Sequence, residues 1–480
     1  MTNAVSDSRA CRPGDLFAAL RGTKCDGHAY LQQAVEQGAK VLLVERPNPA
    51  LRVHQCVVRN SRKAYAELCE ALAGYPSRRL GIVGVTGTNG KTTTCWLIRS
   101  ILSTAGRQAG LLGTVEYDDG LVKQISDLTT PDARQLSEIL GRSVRNKTTH
   151  MAMEVSSHAL VQDRVSGIQF DVTTISNITQ DHFDFHGSYA NYKAAKQLIF
   201  SRLKPEGLAV LNADDPGSLS CRMHAPRRVR TYGIESPADY MAEVLEESLN
   251  GTRFRMSCDG DEVDVFTPLV GRHNVSNCLA AAASVAGFGM SLEQIAWGIE
   301  SLRFVPGRLQ RIDVGQMPAV FVDYAHTDDA LRRVIQAMRQ LTIGRVICVF
   351  GAGGDRDKTK RPLMGEAASK ADLAIITSDN PRDEDPAVIA EEIAEGIGPN
   401  APKPIVELDR ERAIIKALDE ARPDDCVVIA GKGHETVQVL AGKTIPFNDC
   451  EAAQRYLIRR RLAEHSYAGQ PDHFGAYKPG

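Results

Sequence analysis

The sequence predicts an α/β protein of three domains, with helices packed on mainly parallel sheets, and three observations carry that expectation. Strand-like apolar runs alternate with helical patterns almost from end to end, the pattern of helices covering parallel strands. The 480 residues exceed what one hydrophobic core organises, at about 100–200 residues per domain. Turn-rich breaks at Gly74-Tyr-Pro-Ser-Arg-Arg79 and Phe304-Val-Pro-Gly-Arg-Leu309 divide the pattern. The expected domains are therefore 1–79, 80–307 and 308–480.

Taken in order, the first block pairs apolar runs at 39–44 and 56–58 with a helix over 61–73, capped by Ser61 and stopped by Gly74 with Pro76 beyond. The second opens with a strand at 80–85, then a glycine-rich turn and an amphipathic helix through Trp96, Leu97 and Ile101. Strands ending at Glu154 and Ser176, a helix over 192–200 and an alanine-rich helix over 279–286 complete it. The third block repeats one arrangement four times. Strands at 319–322, 345–350, 373–377 and 426–430 run into Asp323-Tyr-Ala-His326, Gly351-Ala-Gly-Gly-Asp-Arg356, Asp379-Asn-Pro-Arg382 and Gly431-Lys-Gly-His-Glu435. Open parallel sheets bind ligands at the carboxyl ends of their strands, so one crevice is expected to collect all four loops. From 463 onward the Gly-, Pro-, His- and Tyr-rich sequence has no periodicity and reads as a loose tail.

Composition narrows the partners. Lysine plus arginine total 57 against 59 acidic residues, without the basic excess that neutralises a nucleic-acid backbone. No apolar run approaches the ~20 residues of a membrane span. The N-terminus is polar, and a cytoplasmic location is expected. The 11 cysteines are odd in number and lack any CxxC pair, against a disulfide framework or a thiolate zinc site. The expected partners are small molecules, with no nucleic acid and no membrane, and the expected state is a monomer.

The strongest motif is Gly84-Val-Thr-Gly-Thr-Asn-Gly-Lys-Thr-Thr-Thr94 between the strand and its helix. Glycines let backbone N–H groups turn onto an anion and the helix N-terminus adds partial positive charge. Lys91 reaches the outer phosphates and Thr92 can ligate magnesium. ATP or GTP is the expected ligand. Glu154 ends its strand where an acidic residue completes a magnesium site; a solvated strand end is the plainer alternative. His182 and His186 share a helical face, but a zinc pair lacks cysteine or the H-E-x-x-H glutamate. Arg164 is a fork for carboxylate or phosphate, although most lone arginines are solvated.

Thr86-Gly-Thr-Asn-Gly-Lys-Thr-Thr93 resembles the ATP loop of the Mur ligases and the related folylpolyglutamate synthetases, and ordered motifs extend that resemblance over roughly residues 6 to 460. The resemblance implies a small N-terminal α/β domain that binds a UDP-muramoyl substrate, a central P-loop ATPase-like domain and a C-terminal Rossmann-like, amino-acid-binding domain. ATP contacts would come from Gly87, Thr88, Asn89, Gly90, Lys91, Thr92, Thr93 and Asn274, with Arg308, Asp323 and His326 from beyond the second break. Magnesium would be held by Thr92, Glu154, His182 and a carbamylated Lys196, although a helical lysine is ordinarily solvated. Lys91, Lys196 and His182 would carry the catalysis. Ser8, in Asp7-Ser-Arg9, would contact the UDP-muramoyl dipeptide together with Thr129, Thr130, Ser156, Gln162 and Arg164.

The segment Ser378-Asp-Asn-Pro-Arg-Asp-Glu384 resembles the signature of the family members that add meso-diaminopimelate at the third amino-acid step of peptidoglycan synthesis. Arg382 can grip the distal carboxylate of that amino acid, whereas it would repel the distal ammonium of lysine. Arg356, Asp379, Asn380, Pro381, Gly431 and Glu435 match the remaining contacts, and Glu435 would meet an ammonium. The implied reaction joins this amine to the D-glutamate side chain through an acyl phosphate made from ATP. A lysine-adding ligase, a folylpolyglutamate synthetase-like ligase and a P-loop ATP-binding module without ligation are the alternatives.

Overall fold

The computed structural model describes residues 3–22, 25–179 and 183–468, and the chain forms two compact units. The first holds the two N-terminal sheets. Its smaller sheet runs in chain order through Ala4–Val5, Leu16–Ala18, Val41–Val44 and His54–Val57, all parallel. Alternation along these strands sends Val5, Phe17, Leu42 and Val44 to one face with Leu31 and Ala34 of the helix Leu31–Glu36. Leu16 and Leu43 go to the other, with Tyr65, Ala66 and Cys69 of the helix Ser61–Leu72. The cap of that helix is Asn60, whose side chain accepts from the Lys63 N–H. Ser61, expected as the cap, instead donates its hydroxyl to Glu45. The asparagine side chain is as good a cap as serine and lies one residue earlier.

The larger sheet has eleven strands. At its centre Gly81–Thr86 lies between Phe170–Ile175 and His150–Glu154, parallel to both. Register puts Val85 opposite Glu154 and Thr86 opposite Ile175, so the glycine-rich turn starts beside the carboxylate. Gly84 is required in the strand: a Cβ there would stand 2.8 Å from the Phe170 ring. The helix Lys91–Thr104 covers this region and packs on Arg272–Val285 and Leu292–Ser301. Gly298 lets the last of these approach so closely that a Cβ would meet the Ile101 backbone at 2.3 Å.

The second unit is built on a six-stranded sheet ordered Gln310–Ile312, Ala319–Asp323, Cys426–Ala430, Val346–Phe350, Leu373–Ile376 and Ile405–Val406. All pairs are parallel except the first. Buried apolar clusters cover both faces, one around Phe321, Phe350 and Ile335, the other around Ile347, Val427 and Ile414. The four strands read from sequence are thus neighbours, and their four polar loops leave from the same end. The sequence suggests a loose tail from 463, but the helix Asp449–Ala468 runs through that point. No helix among the described residues is long and apolar enough to cross a membrane.

Candidate active site

In the first unit the glycine-rich turn has backbone that only glycine adopts readily. Gly87 and Gly90 adopt φ of 152° and 85°, backbone that side chains disfavour. A Cβ would lie 1.9 Å from the Ser176 hydroxyl at the first and 2.3 Å from Asn277 Oδ1 at the second. Lys91 Nζ donates to the Gly87 and Thr88 carbonyls at 2.9 and 2.8 Å. Lys196, 1% exposed, donates to the same Gly87 carbonyl at 2.8 Å. Two ammonium groups therefore converge on one turn, concentrating positive charge where a phosphate chain would lie. The Tyr192 ring lies 4.4 Å from Lys196 Nζ, and its hydroxyl lies 3.2 Å from Thr88 Oγ1. Thr179 N–H donates to the same Thr88 oxygen, and Asn89 N–H donates to Asn177. Asn274 joins this region through Asn277, whose Nδ2 donates to Asn274 Oδ1 at 3.0 Å.

Beside the loop, the buried carboxylate of Glu154 accepts from the Thr92 hydroxyl at 3.0 Å and from the Thr114 N–H and hydroxyl at 2.8 and 3.1 Å. Thr114 was not legible as a site residue, because a threonine 40 positions from its partner carries no local motif. Thr129 meets the Thr114 hydroxyl at 3.1 Å. Thr130 donates to the Glu154 carbonyl and accepts from the Ser156 N–H. Arg164 donates to the Thr130 carbonyl and, through Nε and Nη2, to Gln162 Oε1. Five residues expected to hold the muramoyl dipeptide thus form one network around Glu154. Ser8 is not part of this network: it opens the short 3-10 helix Ser8–Ala10 and donates to Gln33. His182 lies outside the described residues. His186 packs its ring on Tyr192 and meets the Ser157 hydroxyl at 3.0 Å.

In the second unit Asp323 is buried and accepts from the Leu309 and Ala325 N–H groups; burial pushes its carboxyl up, against the pull of the Arg308 charge. Its carbonyl accepts from Gly431 N–H. Arg308 lies over the Tyr324 ring, and exposed His326 folds back on the Tyr324 carbonyl. Arg308, Asp323 and His326 are thereby gathered with the 431–435 loop. Asp379 is buried under that loop, where a Cβ on Gly431 would lie 2.6 Å from its Oδ2. Burial raises its carboxyl while Arg410 and Lys432 oppose the rise.

Asn380 Nδ2 donates to Glu435 Oε2 at 2.9 Å, and fully buried Lys432 donates to the same oxygen at 2.8 Å. Lys432 was passed over in the sequence because nothing distinguishes a buried lysine from a solvated one there. Arg382 is half-buried and has left-handed backbone with φ of 53°. The hairpin Val437–Leu440/Lys443–Pro446 holds it: Arg382 N–H donates to the Val439 carbonyl at 3.1 Å, and its own carbonyl accepts from Ala441 at 2.7 Å. Pro381, buried, carries the carbonyl that a Cβ on Gly354 would strike at 1.9 Å. Only Nη1 of Arg382 donates among the described residues, to the Gly354 and Asn380 carbonyls. The Nε/Nη2 edge is left for a planar anion. Arg356 is exposed on the loop that Arg382 braces.

Three family models match successive segments of the chain. The model described as the Mur ligase family, catalytic domain, matches residues 2–78; the Mur ligase middle domain matches 85–285; the Mur ligase, glutamate ligase domain, matches 307–433. UDP-N-acetylmuramoyl-L-alanyl-D-glutamate--2,6-diaminopimelate ligase of Solibacter usitatus (strain Ellin6076) is 44% identical, over 95% of this chain and 93% of its own. The protein of that name from Gloeobacter violaceus is 43% identical, over 95% and 94%. A solved structure of a ligase with that name superposes with a TM-score of 0.70 at 32% identity, covering 96% of this chain and 95% of that one. The chain belongs to the Mur ligase family.

Proposed function

We propose that the protein adds meso-2,6-diaminopimelate to the D-glutamate side-chain carboxylate of UDP-N-acetylmuramoyl-L-alanyl-D-glutamate, at the expense of ATP, in the cytoplasm and as a monomer. The relatives that match nearly the whole chain carry that ligase's name. The observation that carries the choice of amine is the open Nε/Nη2 edge of Arg382, with Glu435 on the neighbouring loop. A guanidinium for a distal carboxylate and a carboxylate for an ammonium are complementary to a diamino diacid and not to lysine.

In this reading a substrate carboxylate oxygen attacks the γ-phosphorus of ATP, the bond to the β-phosphate oxygen breaks, and ADP leaves. The amine nitrogen then attacks the acyl carbon, phosphate departs, and the nitrogen gives up a proton. Lys91 and the N–H groups that open the helix Lys91–Thr104 bind and orient the phosphates. The Thr130, Ser156 and Arg164 network would position the acid beside them. A magnesium ion would take the hard oxygen donors at Thr92 and Glu154, with Lys196 joining them only as its carbamate, and would offset phosphate charge when bound.

Arg382→Ala should raise the KM for diaminopimelate by about 10–100-fold, from a lost charged contact of roughly 1.5–3 kcal/mol, and change the KM for ATP by less than about twofold. Steady-state kinetics with each substrate varied in turn decides this. Equal effects on both constants would remove Arg382 from amine recognition.

A further inference from the structure

Lys432 is absent from every role assigned so far, yet its side chain is fully buried at the centre of the polar loops of the second unit. Its Nζ donates to Glu435 Oε2 at 2.8 Å and to Asn380 Oδ1 at 3.1 Å. The second contact fixes the Asn380 amide: with Oδ1 taken by Lys432 and by the Val439 N–H at 3.0 Å, Nδ2 must face Glu435 Oε2, to which it donates. Glu435 Oε2 is thus filled twice, while Oε1 accepts no hydrogen bond among the described residues. A carboxylate held this way offers one oxygen in one direction.

We infer that Lys432 is the positioning residue for amine recognition, aiming Glu435 Oε1 at the incoming ammonium. The inference rests on the proposed function for the identity of the amine. Burial alone would push Glu435 up, but the Lys432 contact and its charge, with Asn380, carry it below its ordinary value. The other charged and titratable groups facing this carboxylate are His434 on its own loop, Tyr324 from the Asp323 loop, Asp379 beneath it, and Arg410. Arg410 is engaged by both oxygens of Asp449. Lys432 is the one cation among these groups that touches Glu435 among the described residues. Met in its place fills the buried volume without the charge and strands a half-buried carboxylate.

The experiment uses the full chain with ATP, UDP-muramoyl dipeptide and varied diaminopimelate between about pH 5 and 9. Lys432→Met should raise the KM for diaminopimelate at least tenfold and leave the KM for ATP within about twofold. The ratio of variant to wild-type kcat/KM for diaminopimelate should fall further as pH is lowered, because the stranded carboxylate protonates first in the variant. In the Glu435→Gln background the same substitution should add less than about a twofold loss. A change spread equally over both substrates, a ratio flat with pH, or effects that multiply in the double variant would overturn the role. If Lys432→Met does not fold, Asn380→Ala decides: with the larger Lys432 contribution in place, its ratio to wild type should fall by no more than about twofold from about pH 9 to 5, and a steeper fall would assign the charge control to the amide. No diaminopimelate product from wild type would overturn the proposed function itself, an outcome distinct from any of these.

Discussion

Lys91 and Lys196 reach the same Gly87 carbonyl at 2.9 and 2.8 Å, and this positive charge at the glycine-rich turn is suited to a phosphate chain. Lys91→Ala should therefore cut ATP-dependent ligation by about 10³-fold, the scale of losing a preorganised charge at a transferring phosphoryl group. The melting temperature should move little, since Lys91 is half-buried and its partners are loop carbonyls. Coupled ADP-release assays beside thermal melts check both halves; retained turnover would end the assignment. The glycines and Lys91 were legible because phosphate-loop chemistry is local in sequence. Lys196 was legible only through resemblance, as a helical lysine looks solvated until the fold buries it. Thr114 and Lys432 gave no sign, since each acquires its meaning from a neighbour placed by the fold.

The loops of the second unit are fastened to each other as elements. Glu384 accepts from the Asp355 N–H, from Lys358 at 3.0 Å and from buried Arg361 at 2.9 Å. Arg361, on the helix Lys360–Ala368, also reaches Glu392 on the helix Pro386–Ala394 at 2.6 Å. The loop bearing Arg356 is thereby tied to the one bearing Arg382. The Arg361 contact, then the Asp355 N–H and Lys358, holds Glu384 down to about 2 from an ordinary 4.5. A depressed carboxylate stabilises fully above its unfolded value and loses that contribution as pH falls from 4.5 toward 2. Glu384→Gln should lower the melting temperature of this unit by roughly 2–4 °C near pH 7, and the difference should vanish near pH 2. Melts across that range measure it; a difference independent of pH would mean that charge is not what ties these loops.

At the scale of the whole chain, the α/β class and the placement of four polar loops at strand ends could be read from alternating patterns alone. Strand order could not. Ala319–Asp323 pairs with Cys426–Ala430 across about a hundred residues, and side-chain pattern says which faces are buried but not which strands meet. The phosphate loop and Glu154 lie in the first unit, and Arg382, Asn380, Lys432 and Glu435 lie in the second. The chain should therefore couple ATP cleavage to one particular amine. Purified protein given UDP-muramoyl dipeptide and ATP with equal diaminopimelate and lysine, followed by mass spectrometry of the product, reads that coupling in one step. The expected product is the dipeptide extended by diaminopimelate with loss of water, matched by equimolar ADP. A lysine adduct, or ADP without any adduct, would contradict it.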